Sequence, residues 1–365
     1  VRRLWFMKRI ILTGGGTAGH VTPNLALVPR LQAAGWEVHY VGTENGIERR
    51  LVEQTPGVQY HAVASGKLRR YFDLKNFTDP FRVIKGAAQA AALVHKLRPD
   101  VVFSKGGFVS VPVVYGAHLN RVPVVIHESD MTPGLANRLS TPFAKIVLCA
   151  FPETAEHAGR KARYSGLPIR PEIFSGSREE GLRLFGFQPD MPVLMVVGGS
   201  SGAVAINKAV REALPRLTES FQVLHVCGAG HLSEPHEGAK NYCQREYLND
   251  ELSHAYQMAD VIVSRAGANA LCEILALRKP ALLIPYPKAA SRGDQLANAA
   301  AFEKRGLCRV LLQENLSAET LSQQVVDVYR DRGMLIERME HEALPNGLEN
   351  AINAIEEAAK KKHNC

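Results

Sequence analysis

Apolar residues in this chain fall into short unbroken runs, separated by longer stretches where they recur every three or four positions. The runs at 10–12, 38–41, 101–103, 122–126, 146–149, 193–197, 223–226, 261–263 and 281–284 have strand length and little polar alternation. That pattern predicts strands covered on both faces. After the first run, Leu25, Ala26, Val28, Leu31 and Ala34 keep helical spacing, and Gly35 follows as a stop. Strand and helix alternate in this way through the chain, which predicts parallel sheets layered by helices. Between 150 and 192 the alternation falters into "SGLPIRPEIFSGSREE", rich in Pro, Gly and Ser, and a domain boundary is placed near Pro168. The expected organisation is α/β with two doubly wound domains, residues 1–167 and 168–346. A C-terminal helix over 347–362 can pack back on the first.

Composition leaves this picture standing and narrows it. At 365 residues the chain is long enough for two cores, and 46% hydrophobic with 22% charged residues is ordinary for a globular protein. No run of 18 apolar residues occurs, so no spanning helix is expected. The six cysteines are scattered, without C-x-x-C or metal-like spacing, and read as free thiols of a reducing cytoplasm. "VRRLWFMKRIILTGGG" is cut short by glycines before it could form a signal peptide, and Met7 reads as a natural start. A net charge of +8 favours anionic partners.

The candidate chemistry begins at "LTGGGTAGHVTP", residues 12–23, which lies between the first strand and the first helix. Glycines let backbone approach an anion, and a helix N-terminus offers N–H groups and a positive dipole end. Gly14, Gly16 and Gly19 also fit G-x-G-x-x-G, with Glu44 after the next strand as a candidate ribose acid, so a dehydrogenase remains open. The same arrangement returns in "VLMVVGGSSGAVAINKAV", at the start of the second domain. There "GGSSG" matches the hydrolase elbow G-x-S-x-G, with Ser200 as nucleophile and Asp260 as acid. Only His341 and His363 follow, both in charged helical stretches, so a small hydroxyl for phosphate is the better reading of Ser200.

Residues 264–306 carry a second polar constellation. Ala266, Gly267 and Ala268 open a helix, and Glu273 stands inside it between apolar neighbours Leu271, Cys272, Ile274 and Leu275. A carboxylate so placed suits two vicinal hydroxyls, such as those of a ribose. Asp294, Gln295 and Asn298 cluster at the start of the next helix and suit sugar hydroxyls. A dehydrogenase leaves this constellation without a task.

Taken together, "TGGGTAGHVTP", "SKGGFVSVP" (104–112), "HESDMTPGLANR" (127–138), "GLPIR" (166–170), "GGSSGA" (198–203) and "SRAGANALCE" resemble the MurG-type N-acetylglucosaminyltransferases. The resemblance runs from Met7 to the end. It implies the GT-B architecture, two Rossmann-like domains facing across a cleft, and transfer of N-acetylglucosamine from UDP-N-acetylglucosamine to lipid I with inversion. It implies no metal and no cofactor, and the chain has no D-x-D pair. A related GT-B enzyme with another acceptor stays open, as does a nucleotide-binding module. By position, Ser200 and Arg170 would contact the diphosphate, and the main chain near Leu248 the uracil, with Ala268 and Asn269 at the helix mouth. Glu273 would take the ribose, and Gln295 with Asn298 the sugar. Thr17, Ala18 and Gly19 would hold the acceptor diphosphate, with His20 beside them to take the proton of the attacking 4-hydroxyl. Three positions depart from the family: Ala18 for a glycine, Asp130 for a sugar-contacting asparagine, and Asp294 for a glutamine.

Residues 66–85, "GKLRRYFDLKNFTDPFRVIK", hold six basic residues against Asp73 and Asp79, interleaved with Tyr71, Phe72, Phe77 and Phe81. Aromatics among cations suit an anionic lipid surface, and nothing else in the chain resembles a nucleic-acid module. The expected location is the cytoplasmic face of the cell membrane, held peripherally.

Overall fold

The computed structural model describes residues 7–65, 79–199, 202–288 and 293–360, with side chains described from residue 84 onward in the second stretch. The chain divides into two compact units, Val1–Ile169 with Pro345–Cys365, and Arg170–Leu344.

The first unit is built on strands β1 (Lys8–Thr13), β2 (Trp36–Gly42), β3 (Val58–Ala62), β4 (Val101–Ser104), β5 (Val124–Glu128), β6 (Ile146–Cys149) and β7 (Ala162–Tyr164). They form one sheet in the order β3-β2-β1-β4-β5-β6-β7, and every pairing is parallel. Alternate residues enter opposite cores. Ile10, Leu12, Val101 and Phe103 lie in one cluster, and Ile11, Val102, Val124 and Ile126 in the other. Both faces are covered, which is why these runs carry no polar alternation. The first cluster also contains Ile352, Ile355 and Ala358 from the C-terminal helix Gly347–Lys360. Trp36 Nε1 donates to Glu356 Oε1 at 2.8 Å on the same side, and Lys8 pairs with Glu356 at 2.8 Å.

The second unit repeats the plan with β8 (Val193–Val197), β9 (Gln222–Val226), β10 (Tyr242–Arg245), β11 (Val261–Ser264), β12 (Ala281–Leu283) and β13 (Arg309–Val310). The order is β10-β9-β8-β11-β12-β13, again all parallel. In each sheet the strand order reverses once, between β1 and β4 and between β8 and β11. Ligands of doubly wound sheets bind beyond the carboxyl ends of the strands at such a switch point.

Among the described residues no helix is long and apolar enough to cross a membrane.

Candidate active site

In the first unit β1 delivers the chain into the glycine loop at the switch point. Thr17, extended at φ −144°, caps the helix Ala18–Ala33. Ala18 and Gly19 open the first turn and His20 sits within it. Thr17 Oγ1 and His20 Nδ1 lie 2.9 Å apart, and the His20 N–H donates to the Thr17 carbonyl at 3.1 Å. The imidazole is therefore held, partly exposed, at the mouth of the loop.

Beneath the loop lies Glu48, a carboxylate with no exposure. Its Oε1 accepts the Thr43 N–H at 2.9 Å and the Thr43 hydroxyl at 2.6 Å, while Oε2 accepts the Gly16 N–H at 3.3 Å. A Cβ added at Gly15 or Gly46 would stand 2.8 or 2.1 Å from the Glu48 carboxyl group. The carboxylate fills space those side chains would need. Glu44, the ribose acid of the dinucleotide reading, is exposed instead.

The loop after β4 backs the first one. Gly107 has φ +83°, and a Cβ there would lie 2.3 Å from the Gly15 carbonyl oxygen. Lys105 donates its backbone N–H to the Thr13 carbonyl at 2.9 Å, and its side chain is 1% exposed. Its Nζ reaches His127 Nδ1 at 2.8 Å and Ser129 Oγ. An ammonium can only donate, so Nδ1 accepts, and the Nε2–H donates to the Gly166 carbonyl at 2.9 Å. Burial, and then the Lys105 charge, hold His127 far below the ordinary histidine range. Both of its ring nitrogens are engaged in hydrogen bonds.

Asp130 follows β5. Its N–H donates to Glu128 Oε1 at 3.0 Å, and its carbonyl accepts the Thr154 hydroxyl at 3.2 Å. Glu128, buried, also accepts the Gly134 N–H at 3.0 Å and the Asn137 amide at 2.9 Å, and so sets the path of this loop.

In the second unit the loop after β8 turns through Gly199 (φ +90°) and Gly202 (φ +72°), whose N–H donates to the Gly199 carbonyl at 2.9 Å. Ser200 lies outside the described residues. Asp260, the acid of the hydrolase reading, accepts the Val193 N–H at 2.8 Å and pairs with Arg178 at 3.1 Å. Val193 begins β8, so Asp260 stands at the opposite end of that strand from the loop.

Beyond β11, Gly267 caps the helix Ala268–Ala276, with Ala268 and Asn269 in its first turn. Glu273 accepts the Tyr256 hydroxyl on Oε2 at 2.9 Å. Burial raises its pKa, opposed by the Tyr256 hydrogen bond and by the Arg170 charge. Arg170 opens the second unit, and its Nε is buried without a hydrogen-bond partner among the described residues. Leu248, past β10, engages neither its N–H nor its carbonyl with another described residue. Gln295 accepts the Tyr286 N–H at 3.1 Å on the helix Asp294–Lys304. Asn298 on the same helix is fully buried and donates to the Ala266 carbonyl at 3.1 Å.

The structure thus gathers Thr17, Ala18, Gly19 and His20 on one turn, and in the second unit the Arg170 charge acts on Glu273. Gln295 and Asn298 tie their helix to the ends of β12 and β11. Glu48, Lys105, Tyr256 and Arg265 escaped the sequence reading. Arg265, buried, stacks 3.9 Å from the centre of the Tyr286 ring and donates to the Ile284 carbonyl at 2.9 Å. Lys105 and Arg265 are lone cations in apolar or glycine-rich stretches, the one signal the sequence offers for them, whereas Glu48 and Tyr256 stand among other polar residues and carry none.

Residues 10–149 match the glycosyltransferase family 28 N-terminal domain, and residues 193–360 match its C-terminal domain. A Clostridium botulinum UDP-N-acetylglucosamine–N-acetylmuramyl-(pentapeptide) pyrophosphoryl-undecaprenol N-acetylglucosamine transferase is 50% identical over 97% of this chain and 100% of its own length. The transferase of the same name from Lachnoclostridium phytofermentans is 52% identical over the same shares. The crystal structure of Acinetobacter baumannii MurG is 26% identical, with a TM-score of 0.75 over 96% of this chain and 99% of that one.

Proposed function

This chain belongs to glycosyltransferase family 28, and from that premise we propose how its residues divide the transfer of N-acetylglucosamine to lipid I. The reaction uses UDP-N-acetylglucosamine and gives lipid II. Similarity along the full length of the N-acetylglucosamine transferases is the observation that carries this function.

The second unit holds the donor. Glu273 receives the ribose hydroxyls, the open main chain at Leu248 reads the uracil, and Ala268 with Asn269 line the helix mouth. Arg170 and the loop containing Ser200 take the diphosphate, and the orphaned Arg170 Nε supports that assignment. Gln295 touches the sugar. Asn298, with no exposed surface, acts from beneath by fixing the Ala266 turn.

The first unit holds the acceptor. Thr17, Ala18 and Gly19 receive its diphosphate at a helix N-terminus. Asp130 offers a carboxylate to a sugar hydroxyl. His20 takes the proton as the acceptor 4-hydroxyl attacks C1 of N-acetylglucosamine and the bond from C1 to the UDP oxygen breaks. In the working tautomer Nδ1–H donates to Thr17 Oγ1, and Nε2 is the nitrogen assigned to take that proton.

The test is turnover of UDP-N-acetylglucosamine with a short-chain lipid I analogue, read as UDP release and formation of the disaccharide. Release only by hydrolysis, with the acceptor unchanged, would remove the assignment.

The enzyme acts at the membrane surface through residues 66–85. Most of that segment lies outside the described residues, but Ile84, near its end, is 67% exposed on the helix Asp79–Leu97. An apolar side chain at that exposure beside basic residues suits an anionic interface, where each Lys or Arg contributes about 1 kcal/mol. Replacing Arg69, Arg70, Phe72 and Phe77 together with Ser is expected to release the protein from anionic liposomes while UDP affinity stays. Undiminished co-sedimentation would place the membrane face elsewhere.

A further inference from the structure

Glu273 does not face its ligand alone. Tyr256, on the helix Leu252–Met258, is 5% exposed, and its hydroxyl reaches Glu273 Oε2 at 2.9 Å. We propose that Tyr256 is a positioning residue for the nucleoside end of the donor, fixing the Glu273 carboxylate so that Oε1 and the remaining lone pair of Oε2 meet the two ribose hydroxyls. The proposal rests on the assignment of Glu273 to the ribose.

A carboxylate only accepts, so the phenol must donate. It occupies one of about four acceptor positions and leaves enough for two vicinal hydroxyls. A glutamate side chain left to rotate would lose that freedom on binding, whereas one already fixed has less to lose. The Tyr256 ring is packed on all sides, so its hydroxyl has a set direction. Burial, and then the Glu273 charge, push its pKa well up, so it stays a donor across the working range. The titratable groups acting on Glu273 among the described residues are Tyr256 and Arg170, and both favour the ionised carboxylate that burial disfavours.

The test compares UDP and 2′-deoxy-UDP binding to the full chain carrying Tyr256→Phe, Glu273→Ala or both, with melting temperatures measured alongside. Tyr256→Phe keeps the buried ring and removes one hydrogen bond. It is expected to weaken UDP roughly three- to tenfold and to narrow the preference over 2′-deoxy-UDP. With its donor gone, Glu273 protonates at higher pH, so the loss of UDP affinity on acidification moves to higher pH. In the Glu273→Ala background the Phe substitution is expected to do nothing further. Unchanged UDP affinity and preference in Tyr256→Phe would overturn the proposal. Equal weakening of both nucleotides, repeated in the Glu273→Ala background, would also overturn it and leave Tyr256 a packing residue. If Glu273→Ala itself binds UDP like the parent, the ribose assignment fails instead, and the proposal with it.

Discussion

A carboxylate with no exposure requires a donor at each oxygen, and Glu48 finds them in Thr43 and in the Gly16 N–H of the glycine loop. Its oxygens hold the loop from below. Glu48→Ala strands these donors and opens a void, which is expected to cost about 2–4 kcal/mol of stability by denaturant unfolding. Turnover should fall with it, and UDP affinity, assigned to the second unit, should hold. At this scale the sequence is uneven. Glu273 is legible because apolar neighbours flank a lone acid inside a helix. Glu48 sits in "GIERRLVEQ", among other charges, and nothing there separates it from exposed Glu44 or Glu53. Lys105 and Tyr256 take their meaning from His127 and Glu273, which are 22 and 17 residues away and meet them only in the fold.

Among elements, the interior strands are legible because both of their faces are buried. The strands that escaped the pattern are β3, β7, β10 and β13, and they occupy the four sheet edges. An edge strand is partly solvated and need not be apolar. β3 reads VQYHA, β7 ARY, β10 YCQR and β13 RV, and no apolar run marks any of them. The run at 122–126 is displaced, since β5 spans Val124–Glu128 and ends on His127 and Glu128, polar residues buried because their partners satisfy them. Back-to-back contact of the loops after β1 and β4 was equally hidden, because it depends on close approach of two backbones. Gly107→Ala tests that contact. At φ +83°, with a Cβ 2.3 Å from the Gly15 carbonyl, the first loop must shift. The expected result is at least a tenfold loss of kcat/KM for the acceptor, by the usual effect of a misplacement of about 1 Å on positioned groups. The UDP dissociation constant should stay within about twofold, since that site is assigned to the other unit.

For the whole molecule, the last helix of the chain belongs to the core of the first unit. Ile355 is fully buried among Leu27, Leu31 and Trp36, and Glu349 and Glu357 pair with Arg30 and Arg163 at 2.8 and 2.6 Å. Ile355→Ala is expected to cost about 2–4 kcal/mol and to destabilise the first unit, read by calorimetry. The central claim is that the first unit carries the base and the second the donor. Steady-state kinetics of His20→Ala, with its UDP dissociation constant measured on the same preparation, test it most directly. The account predicts kcat lower by about two to four decades with UDP affinity nearly unchanged. A variant that keeps most of its kcat, or that loses UDP affinity in step with its rate, would contradict it.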